Sequence, residues 1–507
     1  TRLKRKILMT AEHYLAFDLG AESGRAMLGS LDSGRIQLTE LHRFPTRSIN
    51  CQRHLHWDVY HLFEQIRLVL ENLKQQDFRL NSLGIDTWGV DFGLIDKSGH
   101  IVGLPFCYRD KIFPEAAKNY LQEFSGNELY YLTGIQLLPF NTLFQLYALQ
   151  KENPGWLELA EKILFMPDLL NFLLTGNKVT DLTIASTSQL LSPISRRWLP
   201  GLLERIGIRS QLLPEINQPG QILGGLSSWL LAEGLPELTV VQVAGHDTAS
   251  AVAAVPAQGD SWVYISSGTW SLVGVELDQP VINERSFRAN FTNESGLGNT
   301  IRFLKNVNGL WLLQQCRKIW CRQKDLTYKQ LTEMAEKARP FALFLDPDDP
   351  LFLNPTNMVE ALADYARQTG QTAPEDPGEM TRAILENLAL KYRLVIDELE
   401  ALTGQNFRVV HIIGGGSKND LLNQFTAEAT GRLVLAGPEE ASCIGNILTQ
   451  ALAFGQLKNR LEIRETVRQS FDIKEFRPHS PEIWEKARAE FKARLAEARQ
   501  QAGSLLP

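Results

Sequence analysis

Asp247 is the acidic residue whose surroundings in the sequence best suit chemistry. It follows the apolar residues 238–243, which predict a buried strand, and precedes the small residues 249–255, which predict the start of a helix. Open α/β sheets bind ligands at the carboxyl ends of their strands, so this carboxylate is placed to accept a proton from a substrate hydroxyl. The alternative is that Asp247, or Thr248 beside it, caps the helix. From this segment alone, capping is favoured.

One further segment, DLGAESGR at residues 18–25, has the residue types of a phosphate-binding hairpin. Its two glycines permit a tight turn whose backbone N–H groups can point at an anion, and its serine and arginine add donors. Asp18, at the end of the predicted strand, is expected to bind Mg²⁺ through water. A plain hairpin turn is the alternative, because two glycines are common in such turns.

Residues 262–278 repeat the layout of residues 14–32. Each stretch has an apolar strand, a turn of glycine and hydroxyl residues, and a second apolar strand that ends in Asp. The second turn, SSGT at residues 266–269, lacks the acid, and the two turns can hold one polyphosphate from both sides. Such a repeat predicts two domains of one fold facing each other across a central cleft, although any two hairpins share part of this layout.

The order of the predicted elements indicates the fold class. Residues 14–44 predict a meander of three strands, residues 57–75 a helix, and residues 82–96 a further strand. This order is that of α/β domains of the ribonuclease-H-like (actin-like ATPase) class, and it differs from that of a plain Rossmann unit.

Length and composition restrict the class of protein. A chain of 507 residues is longer than one hydrophobic core usually supports, so we place domains at residues 12–255 and 256–480, with a helical tail at 481–507 and a disordered lead-in at 1–11. The net charge of −6 argues against nucleic acid as a main partner. No apolar run is long enough to cross a membrane. The five scattered cysteines indicate reduced thiols and a cytoplasmic protein.

The run Gly414-Gly415-Gly416, between a predicted strand and a predicted helix, favours a nucleotide surface. It is similar to a dinucleotide fingerprint, but Asn419 replaces the third glycine of that pattern, so a dehydrogenase is the weakest interpretation. The chain also lacks the G-x-x-x-x-G-K-S/T sequence of a P-loop. What the run predicts is a flat glycine surface that a purine or ribose can approach closely.

Two other glycines have a ligand-based and a packing-based explanation. Gly445 lies in a predicted helix, where it costs roughly 1 kcal/mol relative to Ala. The glycine is better explained by close approach of a neighbouring helix than by close approach of a ligand. Gly89 follows Trp88, and the pair offers an aromatic face and an open backbone that suit a sugar. The alternative, that Trp88 is an ordinary buried core residue, is equally well supported.

Together these features predict phosphoryl transfer to a small sugar. That chemistry needs groups that hold the phosphates, a metal ion and a carboxylate that takes the hydroxyl proton. Asp247 can fill the last of these roles.

Seven motifs resemble those of the FGGY carbohydrate kinases over nearly the whole chain. They are DLGAESGR, SLGIDTWGVDF, GIQLLPFNTLFQL, GHDTASAV, SSGTWSLVG, LKNVNGLWLLQ and IIGGGSKNDLLNQ. The resemblance is greatest to the bacterial members that act on L-rhamnulose, and it separates the chain from glycerol, xylulose and gluconate kinases. It implies two actin-like domains, MgATP as the phosphoryl donor, and conversion of L-rhamnulose to L-rhamnulose 1-phosphate.

The same resemblance implies roles for residues at the matching positions. Asp247 is implied as the proton acceptor. The residues implied to contact the sugar are Gly89, His246, Asp247 and Thr248. The residues implied to contact the nucleotide are Ala21, Glu22, Ser23, Gly24, Arg25, Thr269, Asn306, Gln314 and Gly415. Glu22 departs from the family pattern, which has Ser there, and puts an extra acid beside the phosphates.

Two other functions fit the motifs less well. One is the same chemistry on another deoxyketose such as L-fuculose, because the contacts that select the stereoisomer are not placed by the sequence. The other is a non-catalytic actin-like protein that senses sugar or hydrolyses ATP. The presence of both phosphate hairpins and of the His246–Asp247 pair argues against this second function.

Overall fold

The computed structural model describes residues 11–74, 79–322 and 324–501. The chain forms two compact units. The first consists of the chain up to Pro256 together with Glu276–Phe303 and Glu440–Phe471, and the second consists of the remaining segments. Residues 1–10 of the predicted lead-in and residues 502–507 of the predicted tail lie outside the described ranges. The domain boundaries after residues 255 and 480 stay predictions.

The strands alternate along the chain with helices and loops. Those of the first unit are β1 (Glu12–Leu19), β2 (Ser23–Asp32), β3 (Arg35–Pro45), β4 (Ser48–Cys51), β5 (His54–Trp57), β6 (Leu80–Thr87), β7 (Phe92–Asp96), β8 (Ala160–Phe165), β9 (Val179–Asp181), β10 (Leu191–Ser192), β11 (Arg197–Trp198), β12 (Glu215–Asn217), β13 (Gln221–Gly225), β14 (Thr239–Gln242) and β17 (Thr292–Ser295). The second unit contains all or most of β15 (Trp262–Ser267), β16 (Trp270–Leu277), β18 (Ile301–Asn308), β19 (Val409–Ile413), β20 (Leu433–Ala436) and β21 (Lys474–Phe476).

The helices divide between the units in the same way. Those of the first unit are α1 (Val59–Leu73), α2 (Ile112–Glu123), α3 (Gly126–Thr133), α4 (Thr142–Glu152), α5 (Pro154–Leu159), α6 (Met166–Thr175), α7 (Leu182–Ala185), α8 (Pro200–Arg205), α9 (Ser228–Ala232), α10 (Asp247–Ala253), α11 (Glu284–Arg288), α17 (Ala441–Ala453) and α18 (Arg460–Ser470). Those of the second unit are α12 (Trp311–Trp320), α13 (Tyr328–Lys337), α14 (Met358–Gln368), α15 (Pro377–Thr403), α16 (Asp420–Thr430) and α19 (Pro481–Gln501).

The central sheet of the first unit has the strand order β13-β14-β6-β1-β2-β3. β2 pairs antiparallel with both β1 and β3, which confirms the predicted meander. β6 runs parallel to β1, and β14 runs parallel to β6. The carboxyl ends of β1, β6 and β14 therefore meet at one edge of the sheet, and the residues that follow those strands lie near one another.

The second sheet has the order β17-β18-β16-β15-β19-β20-β21, and apart from its edge strand β17 it repeats this arrangement. The hairpin β15–β16 is antiparallel, β19 runs parallel to β15, and β20 runs parallel to β19. The predicted internal repeat is confirmed. The outermost antiparallel strand enters the two sheets differently, because β13 precedes β14 in the chain whereas β21 follows β20.

Helix α1 confirms the helix predicted from the periodic pattern of residues 57–75. Val59, Leu62, Ile66 and Leu70 recur at helical spacing, and all are buried. Asp58 begins the helix by accepting a hydrogen bond from the backbone N–H of the third helical residue at 3.0 Å. The apolar face then packs against the sheet, which supplies most of the stability of a helix of this length.

The single strand predicted for residues 82–96 is wrong. β6 ends at Thr87, and β7 pairs antiparallel with β8 in a separate sheet. Apolar alternation continues through residues 88–91, so the pattern itself gives no sign of the break. The interruption between β6 and β7 is held in place by residues that are distant in the chain and contact it.

Candidate active site

The backbone between β6 and β7 is strained and held on both sides. Val90 has φ +68°, in the left-handed region that β-branched residues rarely adopt. The backbone N–H of Val90 donates to Thr187 Oγ1 at 3.1 Å, and its C=O accepts from Thr142 Oγ1 at 2.6 Å. Strain of this kind persists where surrounding contacts impose it, and it is concentrated at functional sites.

The buried carboxylate of Asp91 anchors this segment. It accepts hydrogen bonds from Trp57 Nε1 at 2.5 Å, Trp88 Nε1 at 2.9 Å and Gln145 Nε2 at 2.7 Å. The ring of Trp88 lies 4.3 Å from that of Trp57, centroid to centroid. Trp88 is therefore a core residue, and its interpretation as a sugar-facing ring is wrong.

Gly89 lies beside His246. A Cβ at this position would lie 3.3 Å from His246 Nε2 and 3.3 Å from Thr187 Oγ1. His246 comes this close because it forms a parallel bridge with Thr87, whose N–H donates to the C=O of Gly245 at 2.9 Å. Glycine leaves space next to the imidazole that any other residue would fill.

Asp247 is the first residue of α10, and His246 occupies the capping position without a side-chain cap, so the interpretation of Asp247 or Thr248 as the cap of this helix is wrong. Asp247 Oδ1 accepts from the backbone N–H of Thr248 at 2.5 Å and from Thr248 Oγ1 at 3.0 Å. The Asp247 side chain is 29% exposed, so a ligand can reach it. Burial raises the pKa of Asp247 above its ordinary value of 3.8, and the carboxyl of Asp18 adds to the rise.

Asp18 and Asp86 lie opposite each other on the parallel strands β1 and β6. Asp86 is fully buried; its Oδ2 accepts from Asn446 Nδ2 at 2.6 Å, and its Oδ1 has no hydrogen-bond partner among the described residues. Asp18 accepts from Arg25 Nη2 at 2.6 Å, and Arg25 Nε also contacts Glu440 at 3.0 Å. Burial raises the pKa of Asp86, and repulsion from Asp18 raises it further. The site thus concentrates negative charge that a cation would neutralise.

The extra acid of the first phosphate hairpin, Glu22, is paired with a cation. Its Oε1 accepts from Arg109 Nη1 at 2.7 Å. The guanidinium of Arg109 also lies over the ring of Tyr108, 5.2 Å from its centroid. The charge of Glu22 is therefore balanced within the first unit.

Within the second unit, the turn of the second hairpin packs against the start of α12. Thr269 Oγ1 donates to Gln314 Oε1 at 3.3 Å. The C=O of Thr269 accepts from the backbone N–H groups of Gly309 at 3.1 Å and Trp311 at 3.2 Å. Two of the residues expected to contact the nucleotide, Thr269 and Gln314, are thus in direct contact. A third, Asn306, lies on β18.

The three glycines after β19 have different surroundings. A Cβ on Gly414 would lie 3.0 Å from the C=O of Ser267, and a Cβ on Gly416 would lie 2.0 Å from Ser267 Oγ. These two glycines are required by the close approach of the second hairpin. A Cβ on Gly415 would meet nothing within 4 Å, so Gly415 alone presents an open backbone surface.

The predicted site residues fall into two groups. In the first unit, Gly89, His246, Asp247 and Thr248 are brought together, with Asp18 nearby. Ala21 and Glu22 lie in the turn between β1 and β2, and Ser23, Gly24 and Arg25 begin β2 in the same unit. The remaining nucleotide residues, Thr269, Asn306, Gln314 and Gly415, belong to the second unit.

Sequence reasoning missed several residues at this site. Asp86 lies inside the quoted motif GIDTWGVDF, and its apolar neighbours on a predicted strand were an available signal. Glu294 and Arg302 contact His246, with Arg302 Nη2 at 3.0 Å and Glu294 Oε2 at 3.3 Å from its Nδ1. No local pattern links them to a residue about fifty positions earlier.

No cluster of three or more His, Cys, Asp or Glu side chains in residues 11–74, 79–322 and 324–501 is arranged to hold a metal ion. In the same part of the chain, no helix is both long and apolar enough to span a membrane.

The two repeated sheets define a two-domain fold of the actin-like, ribonuclease-H-like ATPase class, as predicted. The structure is similar to that of gluconate kinase from Lactobacillus acidophilus (TM-score 0.79, 17% identity, covering 98% of this chain and 99% of the other). It is also similar to xylulose kinase from Lactobacillus acidophilus (TM-score 0.80, 17% identity, 97% and 99% covered) and to glycerol kinase from Plasmodium falciparum (TM-score 0.76, 16% identity, 98% and 99% covered). At these identities the similarity establishes the fold alone.

The chain belongs to the FGGY family of carbohydrate kinases. The N-terminal domain of that family matches residues 13–254, and its C-terminal domain matches residues 263–454. A rhamnulokinase from Bacteroides thetaiotaomicron is 44% identical over 95% of this chain and 99% of its own. Rhamnulokinases from Enterococcus faecalis (43% identical, 90% and 92% covered) and Bacillus subtilis (42% identical, 92% and 95% covered) are also similar. The predicted resemblance is confirmed: the protein is a sugar kinase, and its family implies ATP as the cosubstrate.

Proposed function

We propose that the protein transfers the γ-phosphoryl group of ATP to O1 of L-rhamnulose, giving L-rhamnulose 1-phosphate and ADP. The proposal is carried by the grouping of Gly89, His246 and Asp247 at the carboxyl ends of β6 and β14. The similarity to curated rhamnulokinases over at least 90% of the chain supports L-rhamnulose as the acceptor.

In this proposal Asp247 accepts the proton of the attacking hydroxyl. The O–H bond breaks as a new bond forms between that oxygen and the γ-phosphorus, while the bond from the γ-phosphorus to the leaving oxygen of ADP breaks. Thr248 fixes Oδ1 of Asp247 by two hydrogen bonds. The carboxylate is thereby oriented before the sugar arrives, which reduces the entropic cost of reaching the reactive geometry.

Mg²⁺ fits the charges of the first unit. Asp18, Asp86 and Asp247 influence one another electrostatically, and Asp86 keeps one buried oxygen without a partner among the described residues. Mg²⁺ commonly binds through one or two carboxylates together with water and substrate phosphates. We propose that Asp18 holds the ion in this way. When bound, Mg²⁺ neutralises charge on the phosphates.

The residues proposed to contact ATP are Ala21, Glu22, Ser23, Gly24 and Arg25 in the first unit and Thr269, Asn306, Gln314 and Gly415 in the second. The open surface at Gly415 supports contact with the nucleoside. The Glu22–Arg109 pair supports a phosphate-side role for this hairpin, because its extra carboxylate is already compensated.

A panel of acceptors tests the proposed function. ADP formation is measured with ATP and Mg²⁺ in the presence of L-rhamnulose, L-fuculose, D-xylulose, glycerol or gluconate. We expect the highest kcat/KM with L-rhamnulose. Greater turnover with L-fuculose would mean that L-fuculose is the preferred acceptor, while phosphoryl transfer from ATP would stand as proposed. Absence of turnover with every acceptor would overturn the kinase proposal for this set of sugars.

The pH dependence of the reaction provides a second test. Only the ionised carboxylate of Asp247 can accept a proton, and its pKa is raised, so the ionised fraction falls as the pH drops through that raised value. We expect kcat/KM for the sugar to decline on the acid side at a pH above the ordinary Asp value of 3.8. The measurement is a pH profile at limiting sugar. A decline confined to pH values near or below 3.8 would contradict a raised pKa.

Alanine at Gly416 should lower stability, whereas alanine at Gly415 should weaken ATP binding. Gly416→Ala forces a Cβ to within 2.0 Å of Ser267 Oγ, and such overpacking costs about 1–3 kcal/mol of stability. Gly415→Ala meets nothing within 4 Å and should leave the melting temperature unchanged, but should raise the KM for ATP roughly 5-fold, equivalent to about 1 kcal/mol. Thermal unfolding and ATP saturation curves check both effects. A normal KM for ATP in Gly415→Ala would argue against a nucleotide contact there.

A further inference from the structure

His246 is held from behind by a buried ion pair. Arg302 Nη2 lies 3.0 Å from His246 Nδ1 and 3.0 Å from Glu294 Oε2. Arg302 has no exposed surface, and Glu294 is almost fully buried. Both residues belong to the first unit and lie on the hairpin formed by β17 and the start of β18, which closes through a hydrogen bond from the N–H of Gly296 to the C=O of Thr300 at 2.8 Å.

This hairpin is fixed to the rest of the site. Arg302 Nε donates to the C=O of Ser295 at 3.1 Å, and the N–H of Ser295 donates to Ser186 Oγ at 2.9 Å. Ser186 is next to Thr187, the residue that receives the N–H of Val90. The position of the guanidinium is thus determined by the same local framework that positions Gly89.

The chemistry of arginine decides where His246 carries its proton. The guanidinium remains charged and has only N–H groups to offer, so the atom 3.0 Å from Nη2 must supply a lone pair. Nη2 is hydrogen-bonded to His246 Nδ1, whereas Glu294 Oε2, 3.0 Å from Nη2 and 3.3 Å from Nδ1, has no hydrogen-bond partner among the described residues and pairs with the guanidinium by charge alone. A proton on Nδ1 would bring two N–H groups head to head. This contact therefore disfavours both the doubly protonated imidazolium and the tautomer protonated on Nδ1.

We infer that Arg302, oriented by Glu294, is a positioning residue that holds His246 as the neutral tautomer protonated on Nε2. Nε2 faces the space beside Gly89 and lies 3.5 Å from Asp247 Oδ1, which is longer than a hydrogen bond. Its N–H is then a donor for a substrate oxygen next to the hydroxyl whose proton Asp247 takes. In a ketose phosphorylated at O1, the oxygen on C2 is that neighbour.

Burying an arginine–glutamate pair is expensive in free energy, and a hydrophobic replacement is often no less stable. A role in orienting a ligand-binding histidine explains the pair, just as outer residues fix the tautomer of histidines that bind metals. The inference rests on the proposed function for the identity of the sugar oxygen. The tautomer itself does not depend on that function.

The test is the side-chain ¹⁵N spectrum of the full-length protein labelled at histidine, recorded without sugar. The chain has nine histidines, and the signals absent from His246→Gln identify those of His246. We expect Nδ1 to give the shift of an unprotonated nitrogen and Nε2 that of an N–H. Replacement of Arg302 by Met should lose this preference. A wild-type Nδ1–H signal, or an unchanged spectrum in Arg302→Met, would overturn the inference.

Two further variants separate positioning from general loss of structure. Glu294→Gln keeps an oxygen for Arg302 but removes the negative charge, so the tautomer should be preserved; a switch would show that Glu294, and not Arg302, sets the proton position. Arg464→Met is the matched control, because Arg464 is also buried and pairs with Glu276 at 2.9 Å in the same unit. It should leave the His246 signals unchanged.

Kinetics complete the test. Arg302→Met should reduce kcat/KM for the sugar by roughly 10- to 100-fold, the range found when an orienting residue is removed, with the KM for ATP unchanged. Arg464→Met should retain wild-type kcat/KM at temperatures where it is folded. Equal losses in the two variants would mean that Arg302 has only a structural role. If the wild type phosphorylates no sugar, the proposed function fails while the spectrum still decides the tautomer.

Discussion

Replacing Asp247 with Asn should reduce kcat by about 10²- to 10⁴-fold, the usual contribution of a general base, while ATP binding is retained. Asparagine has the same shape and its oxygen can still accept the two hydrogen bonds from Thr248, but it cannot take a proton. Single-turnover assays with L-rhamnulose measure the loss, and nucleotide titration measures ATP binding.

The design of this variant also separates catalysis from a purely structural role at the start of α10. Asparagine caps helices about as well as aspartate, so a residue that serves only the helix terminus should tolerate the change. Asp58→Asn is the matched control, because Asp58 does cap α1. Asp58→Asn should retain full turnover. Full turnover in Asp247→Asn as well would reject Asp247 as the base.

Replacing Gly445 with Ala should destabilise the first unit strongly. Intrinsic helix propensity alone would predict a gain of roughly 1 kcal/mol. The added Cβ, however, would lie 1.8 Å from the backbone C=O of Ser250, an atom that cannot rotate away. The helices α10 and α17 would have to separate, and overpacking of this kind costs at least about 1–3 kcal/mol. Because the steric contact outweighs helix propensity, the substitution should lower the free energy of unfolding.

Thermal and urea unfolding of Gly445→Ala test this expectation. Gly201→Ala is the matched control: Gly201 is also helical, and a Cβ there meets nothing within 4 Å. The control should be neutral or slightly stabilising, whereas Gly445→Ala should unfold at a clearly lower temperature. Equal or greater stability in Gly445→Ala would mean that the two helices are farther apart than the structure places them.

The features predicted correctly from the sequence depend on neighbours in the chain. The meander of β1 to β3, helix α1 and the repeat of the first hairpin follow from apolar spacing and turn residues within about thirty positions. The position of Asp247 at the end of β14 follows from the same local patterns. The preference for helix packing at Gly445 was also correct, since its neighbour in the structure is Ser250 of another helix.

The features that were missed depend on residues distant in the chain. The strand break at residues 88–91 is held by Trp57, Thr142 and Gln145, and the core position of Trp88 follows from the same contacts. Likewise, the tautomer of His246 is fixed by Arg302, and the glycines flanking Gly415 are required by Ser267. No local period or spacing encodes such contacts.

The close crossing of α10 and α17 joins two helices that the ribosome synthesises far apart in time. Residues 440–471 return to the first compact unit after most of the second unit has been synthesised. They bring Asn446 to Asp86 at 2.6 Å and Gln450 to Ser82 at 2.8 Å. On a ribosome adding roughly 5–20 residues per second, the strand that carries Asp86 waits on the order of tens of seconds for these partners. The first unit therefore completes its core only when translation is nearly finished, and a fragment ending at Pro256 would lack the helix that covers Ser250.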